Sequence, residues 1–281
     1  MENTTIISLE RIEKFRRWLR AEERSEGTIE KYVRDVTKLE LWLGDRAISK
    51  ESVSNWKKHL LSENYAPVTI NSMLASVNTY CRFVGLDCKV KFLRIQKKLF
   101  RDKDRELSKH EYEKLIETAE KQGKTRLALL IETIGATGIR VSEVQYITVE
   151  AAQDGKVQIS LKGKIRCILL PSKLCRKLIK YAKKNGITSG AVFITKTGKV
   201  LSRKLIWAEM KAICKKAGVL ASKVLPHNLR HLFARIYYRT TRDVAKLADL
   251  LGHSSIETTR IYLLSTGEEH ARQLEMLGLV R

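Results

Sequence analysis

Leu225-Pro-His227-Asn-Leu-Arg230-His231-Leu-Phe-Ala234, followed by Leu250-Leu-Gly252-His253-Ser-Ser-Ile-Glu-Thr-Thr-Arg260-Ile-Tyr262, decides how this chain is read. Pro226 suits a first helical turn, so a helix is predicted to start there and to present His227 and Arg230 from one face toward one anion. Val244, Leu247, Ala248, Leu250 and Leu251 keep helical spacing up to Gly252, which reads as a helix C-cap with His253 on the turn beyond it. A short helix from about Ser255 then carries Tyr262 on its last turn. Two imidazoles, a guanidinium and a phenol are the donors and nucleophile that a phosphodiester needs when no metal takes part.

The charge balance agrees. The 281 residues hold 54 Lys and Arg against 31 Asp and Glu, a formal net charge of +23. That excess makes a polyanion the leading partner, because neutralising phosphates releases condensed counterions. A solvated surface or a ribosome-associated protein would look the same by charge alone. Length and the 43% hydrophobic content fit about two globular domains. No run of about 18 apolar residues occurs, and the first residues lack a basic and an apolar signal region, so no membrane span is predicted and a cytoplasmic location is expected. Cys81, Cys88, Cys167, Cys175 and Cys214 are odd in number and lack CxxC or Cys/His spacing. Reduced structural thiols are expected, with neither a disulfide framework nor a zinc site.

Residues 1–88 read as a helical bundle. Leu9, Ile12, Phe15 and Leu19 mark one helix, and Ser25-Glu-Gly27 is expected to end it. A second opens at Thr28 and closes at Gly44, a third spans about Lys50 to Ser62, and a fourth starts at Pro67 and runs toward Phe83. The highly charged stretch 89–106 loses helical period and reads as a basic interdomain linker.

The second domain, 107–281, opens on a capping box, Ser108 with Glu111. A helix from Lys124 is expected to break at Gly135-Ala-Thr-Gly138 and restart at once, placing Arg140 in a first helical turn where backbone N–H groups favour an anion. Lys156 to Leu161 and Ile165 to Leu170 form a hairpin around Lys162-Gly163-Lys164. Alternation puts Lys162 on the face away from Val157, Ile159 and Leu161. Helices near Lys173 to Asn185 and Arg203 to Ala217 follow, with a short strand at Ala191 to Thr195 between them. The predicted class is mainly α with a small β-sheet: an N-terminal helical bundle plus a mixed α+β catalytic domain.

Thr137-Gly138-Ile139-Arg140-Val141-Ser142-Glu143, His227-Asn-Leu-Arg230-His231, Leu251-Gly252-His253 and Tyr262, in that order, closely resemble the tyrosine recombinases of the phage integrase and Xer type. The resemblance is strong from Leu107 to Tyr262. In the first domain it rests on Gly27-Thr-Ile-Glu-Lys-Tyr32-Val-Arg-Asp35-Val36, similar to that family's core-binding domain, which clamps one side of the duplex. It implies six catalytic positions, Arg140, Lys162, His227, Arg230, His253 and Tyr262. Two arginines suit the charge that builds on the non-bridging oxygens. His227, titrating near neutrality, suits transfer of the phenol proton, and His253 suits a further donor. Lys162 suits protonation of the 5' leaving oxygen, and Tyr262 becomes a phosphotyrosyl ester with neither metal, cofactor nor ATP. The hairpin turn is one residue shorter than the family's frequent Gly-Lys-Gly-x-Lys-x-Arg, which leaves Lys164 as the rival acid.

The expected function is site-specific recombination of double-stranded DNA by a homo-tetramer in the synaptic complex, monomeric or dimeric when free. A type IB topoisomerase and a catalytically silent DNA-binding regulator are the alternatives. The bundle begins so near Leu9 that a large arm-binding domain is not expected, which suggests a compact Xer-type or element-encoded enzyme. His231, His110, His59 and His270 read as surface or structural groups, and Tyr181, Tyr237, Tyr238, Trp207, Phe233 and Met210 as packing. Glu143 reads as structural, pairing with an arginine near the site. In the tail, Thr266 with Glu269 forms a capping box and Ala271, Leu274 and Leu277 share one side of a helix too short to stand alone. The resemblance implies that this tail docks on a neighbouring protomer.

Overall fold

The computed structural model describes residues 6–96, 103–161, 164–253, 255–262, 271–272 and 274–279. It divides into two compact units, Met1–Lys97 and Lys98–Arg281. Among the described residues no helix is long and apolar enough to cross a membrane.

The first unit is built from α1 (Leu9–Ala21), α2 (Glu26–Leu43), α3 (Lys50–Ser62) and α4 (Pro67–Val84). Each start has a local cause. The Ser8 side chain accepts from Arg11 N, Ser49 forms a capping box with Ser52, and Pro67 occupies the first turn of α4. Gly27 does not end a helix: α2 already begins at Glu26, with Ser25 in the N-cap position and its Oγ 2.8 Å from Thr28 Oγ1. The apolar stripes meet in a core around Phe15, Trp56 and Tyr80, with Phe15 edge-on to Tyr80 at 5.2 Å. Asp35 is buried and is satisfied by Lys31 Nζ at 2.6 Å and Ser76 Oγ at 2.8 Å, so its charge is paired.

Two readings change here. The stretch after residue 88 begins as part of the bundle, since Val90 is buried and Asn78 and Asn71 exchange hydrogen bonds with the backbones of Val90 and Leu93. Cys81 and Cys88 are joined in a disulfide instead of remaining thiols. The reason is the chain reversal after α4: Gly85 caps it in the left-handed region (φ 74°), which brings the two Cα atoms to 5.9 Å. Cys167, Cys175 and Cys214 are free.

The second unit comprises α5 (Lys109–Lys121), α6 (Thr125–Thr137), a 3-10 segment Val141–Tyr146, α7 (Val149–Asp154), the hairpin β1 (Lys156–Leu161) and β2 (Lys164–Leu169), α8 (Ser172–Lys184), α9 (Arg203–Ala217), α10 (Pro226–Thr241), α11 (Val244–Leu251) and α12 (Ile256–Arg260). The Ser108–Glu111 capping box opens α5 in both directions, at 3.1 and 2.8 Å. α6 is the central element. It buries Leu127, Leu130, Ile131 and Ile134 among α5, α8 and α10, and its Thr133 and Thr137 hydroxyls return to carbonyls one turn back. Gly135 lies within this helix, which is capped by Gly138, so the break comes at the far end of the expected stretch Gly135-Ala-Thr-Gly138.

The hairpin is antiparallel with Leu161 opposite Lys164. Val157 and Ile159 are buried beside Ile168. No strand forms at 191–195; Ala191 and Ile194 make isolated bridges to Thr148 and Val200. The architecture is mainly helical with a two-stranded sheet, as the sequence predicts.

Candidate active site

Five of the six residues singled out in the sequence meet at the junction of α6, α10, α11 and α12. Lys162 lies outside the described residues. Lys164 follows on β2, opposite Leu161.

Arg230 sits one turn into α10 and is 4% exposed. Its Nη1 donates to the carbonyl of Gly138 at 2.5 Å, and its Nη2 donates to that of Leu251 at 2.7 Å and to His253 Nε2 at 3.0 Å. Burial pushes this guanidinium down to about 10, the neighbouring Arg140 adding to the effect and Tyr262 opposing it. Gly138 is required where it stands: its φ is +63° and a Cβ would fall 2.5 Å from the Phe233 ring. Thus the end of α6 both holds Arg230 and packs on α10.

Arg140 does not occupy a first helical turn. It is extended (φ −72°, ψ 146°) and caps the 3-10 segment, and its own N–H goes to Glu143 Oε2 at 2.9 Å. Its charge partner is therefore a carboxylate, not a free helix end. Nη1 donates to Glu143 Oε1 at 2.9 Å and Nη2 to the carbonyl of Gly252 at 3.3 Å, while 40% of the side chain stays exposed. Glu143 is buried; despite that burial, hydrogen bonds and charge from Arg140 and Arg166 keep its carboxyl below the usual range.

His253 follows the left-handed cap Gly252 of α11. Arginine can only donate, so His253 Nε2 accepts from Arg230, and Nδ1 carries the proton to Thr259 Oγ1 at 2.8 Å. Burial first, then Arg230, Arg140 and Arg166, hold this imidazole down to about 4. The predicted further donor is thus an acceptor in this state.

Tyr262 is 5% exposed, just beyond α12, where its N–H reaches the carbonyl of Thr259 at 3.0 Å. Its ring stacks on His253 (centroids 5.9 Å, interplanar 13°) and meets His231 edge-on at 4.6 Å. His231 Nε2 in turn lies 2.6 Å from His227 Nε2. Burial pushes both imidazoles down, His231 to about 3, so the pair is neutral near pH 7 and shares one hydrogen bond.

The sequence reading missed two members. His231, taken as structural, lies between His227 and Tyr262; its place four residues after His227 on one helix was the available signal. Arg166, which ends the hairpin stretch compared with the family's Gly-Lys-Gly-x-Lys-x-Arg but was given no role, pairs with Glu143 at 2.7 Å. Trp207, read as packing, is exposed with Lys211 over its ring, whereas Phe233 packs as expected. Of three guanidiniums, Arg140 and Arg166 lie close enough to Arg230 to push it down, and one carboxylate, Glu143, pairs with those two, an excess of positive charge suited to an anion. Among the described residues no cluster of three His, Cys, Asp or Glu is placed to share a metal ion.

A fold and a site of this kind define a class. Residues 105–269 match the phage integrase family and residues 12–85 its N-terminal SAM-like domain. The chain belongs to the phage integrase family, and its activity is that of a tyrosine-type site-specific recombinase, cleavage and rejoining of DNA. It is similar to the tyrosine recombinase XerA of Pyrococcus furiosus, 30% identical over 287 residues that cover 100% of this chain and 98% of the relative. The fold is shared with residues 75–356 of lambda integrase in a dimer bound to a COC' core site (TM-score 0.71, 17% identity, covering 90% of this chain and 94% of that one). It is shared too with XerH bound to its difH substrate (TM-score 0.68, 20% identity, covering 95% of this chain and 84% of that one). These relatives favour the recombinase over the topoisomerase and silent-regulator alternatives.

Proposed function

We propose that this recombinase cuts DNA through a 3'-phosphotyrosyl intermediate formed on Tyr262, at a specific duplex site held by a homo-tetramer. The observation that carries the reading is the packing of Tyr262 between His253 and His231 beside the buried guanidinium of Arg230.

His227 accepts the phenol proton by way of His231, which lies between the two, as the Tyr262 oxygen attacks phosphorus. The bond from phosphorus to the 5' oxygen breaks, and Lys162 delivers a proton to that oxygen. Arg140 and Arg230 hold the non-bridging oxygens, whose charge grows in the transition state. His253 orients Arg230 and becomes a further donor once a proton reaches Nε2. Attack by the 5' hydroxyl of a partner strand reverses the step and returns the tyrosine. The phosphoester is conserved throughout, so neither ATP nor metal is needed.

The duplex partner is supported by the +23 net charge and by the relatives that carry DNA in their structures. A mobile-element or Xer-type role in the cytoplasm, with residues 1–88 clamping the duplex and 107–281 carrying the chemistry, completes the reading. The tail supports assembly: Leu274, Met276, Leu277 and Leu279 are all more than half exposed, an apolar run that suits a neighbouring protomer. The Thr266–Glu269 capping box lies outside the described residues.

The test is covalent trapping on a nicked suicide duplex carrying the sequence that flanks the gene. The wild-type chain is expected to give a denaturation-resistant adduct, and Tyr262→Phe to bind the duplex without one. An adduct of equal yield in Tyr262→Phe would refute the assignment.

A further inference from the structure

Arg166 closes the hairpin stretch that begins at Lys162, and its side chain reaches both Glu143, which holds Arg140, and the Leu250–Gly252 turn, which holds Arg230 and Arg140. It lies on β2 opposite Ile159, with its side chain 9% exposed. Nη1 donates to Glu143 Oε2 at 2.7 Å, and the other oxygen of that carboxylate holds Arg140 Nη1 at 2.9 Å. Nη2 donates to the carbonyl of Leu250 at 2.8 Å. The next carbonyl, Leu251, holds Arg230, and the one after it, Gly252, accepts from Arg140.

The stem of Arg166 is just as constrained. A Cβ on Gly252 would fall 2.5 Å from Arg166 Cδ and 2.8 Å from its Nε, so the glycine that precedes His253 leaves the room this side chain fills. Its Nε is buried with no hydrogen-bond partner among the described residues. Burying a guanidinium and leaving one N–H unpaired is costly, so the arrangement needs an offsetting gain. So enclosed a group does not meet a DNA phosphate itself. Its contacts run instead to Glu143 behind Arg140 and to the turn that carries His253 and holds Arg230.

We propose that Arg166 is a positioning residue for strand cleavage: its guanidinium locks Glu143 to the Leu250–Gly252 turn, so that Arg140, Arg230 and His253 converge on one phosphate before DNA arrives. The inference rests on the reading of the site given above. It has a chemical corollary. A lysine keeps the buried charge but lacks the planar fork that serves Glu143 and the Leu250 carbonyl together, so Arg166→Lys is not a conservative change here.

The experiment is single-turnover cleavage of the nicked suicide duplex by the full chain, with Arg166→Ala and Arg166→Lys each made alone and combined with Arg140→Ala. Loss of a partner that orients a working group costs roughly 10- to 100-fold in activity. Both single variants are expected to lose that much in cleavage rate while their affinity for the uncut duplex is unchanged. In the Arg140→Ala background most of the Arg166 effect should vanish, because its main route of action is gone. On a duplex with a methylphosphonate at the scissile position, which removes one negative oxygen, the Arg166→Ala defect should shrink together with that of Arg140→Ala. A variant cutting at the wild-type rate would overturn the proposal. So would a defect of full size when Arg140 is absent, because Arg166 would then act with no coupling to the clamp that shares Glu143 with it. A wild-type chain that forms no adduct would instead overturn the reading of the site, and the positioning role with it.

Discussion

Arg230 shows how a site of this kind is prepared in advance. Its guanidinium is enclosed and oriented by two carbonyls and an imidazole, so little reorganisation remains when a phosphate arrives. Removing one such donor costs roughly 100- to 1,000-fold in rate. Arg140→Ala and Arg230→Ala are therefore expected to slow single-turnover cleavage by about that factor while duplex binding weakens little, as gel-shift titration would check. The imidazoles make a second prediction. His231 and His253 are held down to about 3 and about 4, against about 6.5 for a free imidazole in the unfolded chain. The unfolded state thus binds protons that the folded state refuses. Their contribution to stability is complete above about pH 6.5 and is lost as pH falls toward the folded values. Melting of the full chain should show a falling Tm from pH 6.5 to 4.5, with a shallower slope in His231→Asn; equal slopes would contradict the coupling. Motif spacing made His227, Arg230, His253 and Tyr262 legible because each sits in a short local pattern. The role of Arg166 was not legible even though the hairpin pattern ends on it, because its partners, Glu143 and Leu250, are distant in sequence and only the folded hairpin brings them to it.

At the scale of elements, the hairpin is where the acid is assigned. Lys164 pairs with Leu161 at the start of β2, while Lys162 lies outside the described residues. A duplex with a 5'-bridging phosphorothiolate has a sulfur leaving group that departs without a proton. It is expected to restore cleavage by Lys162→Ala and to leave Lys164→Ala unchanged; equal or reversed rescue would move the acid to Lys164. The helices were legible to within a residue or two wherever a cap stood at the end, as at Ser8, Ser49, Pro67 and Ser108. Glycine was the weak signal. Gly27 and Gly135 lie inside helices because the apolar stripes of α2 and α6 bury enough surface to offset its low propensity. The Cys81–Cys88 bond escaped for a related reason. Cysteine parity says nothing about the Gly85 reversal that brings the two together.

Taken whole, the chain joins a basic surface to an apolar tail, and the two make separable demands. Binding to a polyanion needs only the charge, so affinity for any duplex should fall steeply with salt. The proposed assembly would cover the exposed Leu274, Met276, Leu277 and Leu279. Truncation after Ser265 is accordingly expected to leave duplex binding nearly intact and to abolish synapsis and strand exchange, read by sedimentation and by product formation on paired sites. Full recombination by the truncated chain, with tetramers still present, would reduce the tail to a lid over its own domain. The account stands or falls on the covalent bond. Digesting the trapped adduct and sequencing the nucleotide-bearing peptide by mass spectrometry locates the residue directly, with Tyr237 and Tyr238 on α10 as internal controls. The account predicts a 3'-phosphate linked to Tyr262 and to no other residue. A linkage at another tyrosine, or through the 5' end of the DNA, would contradict it.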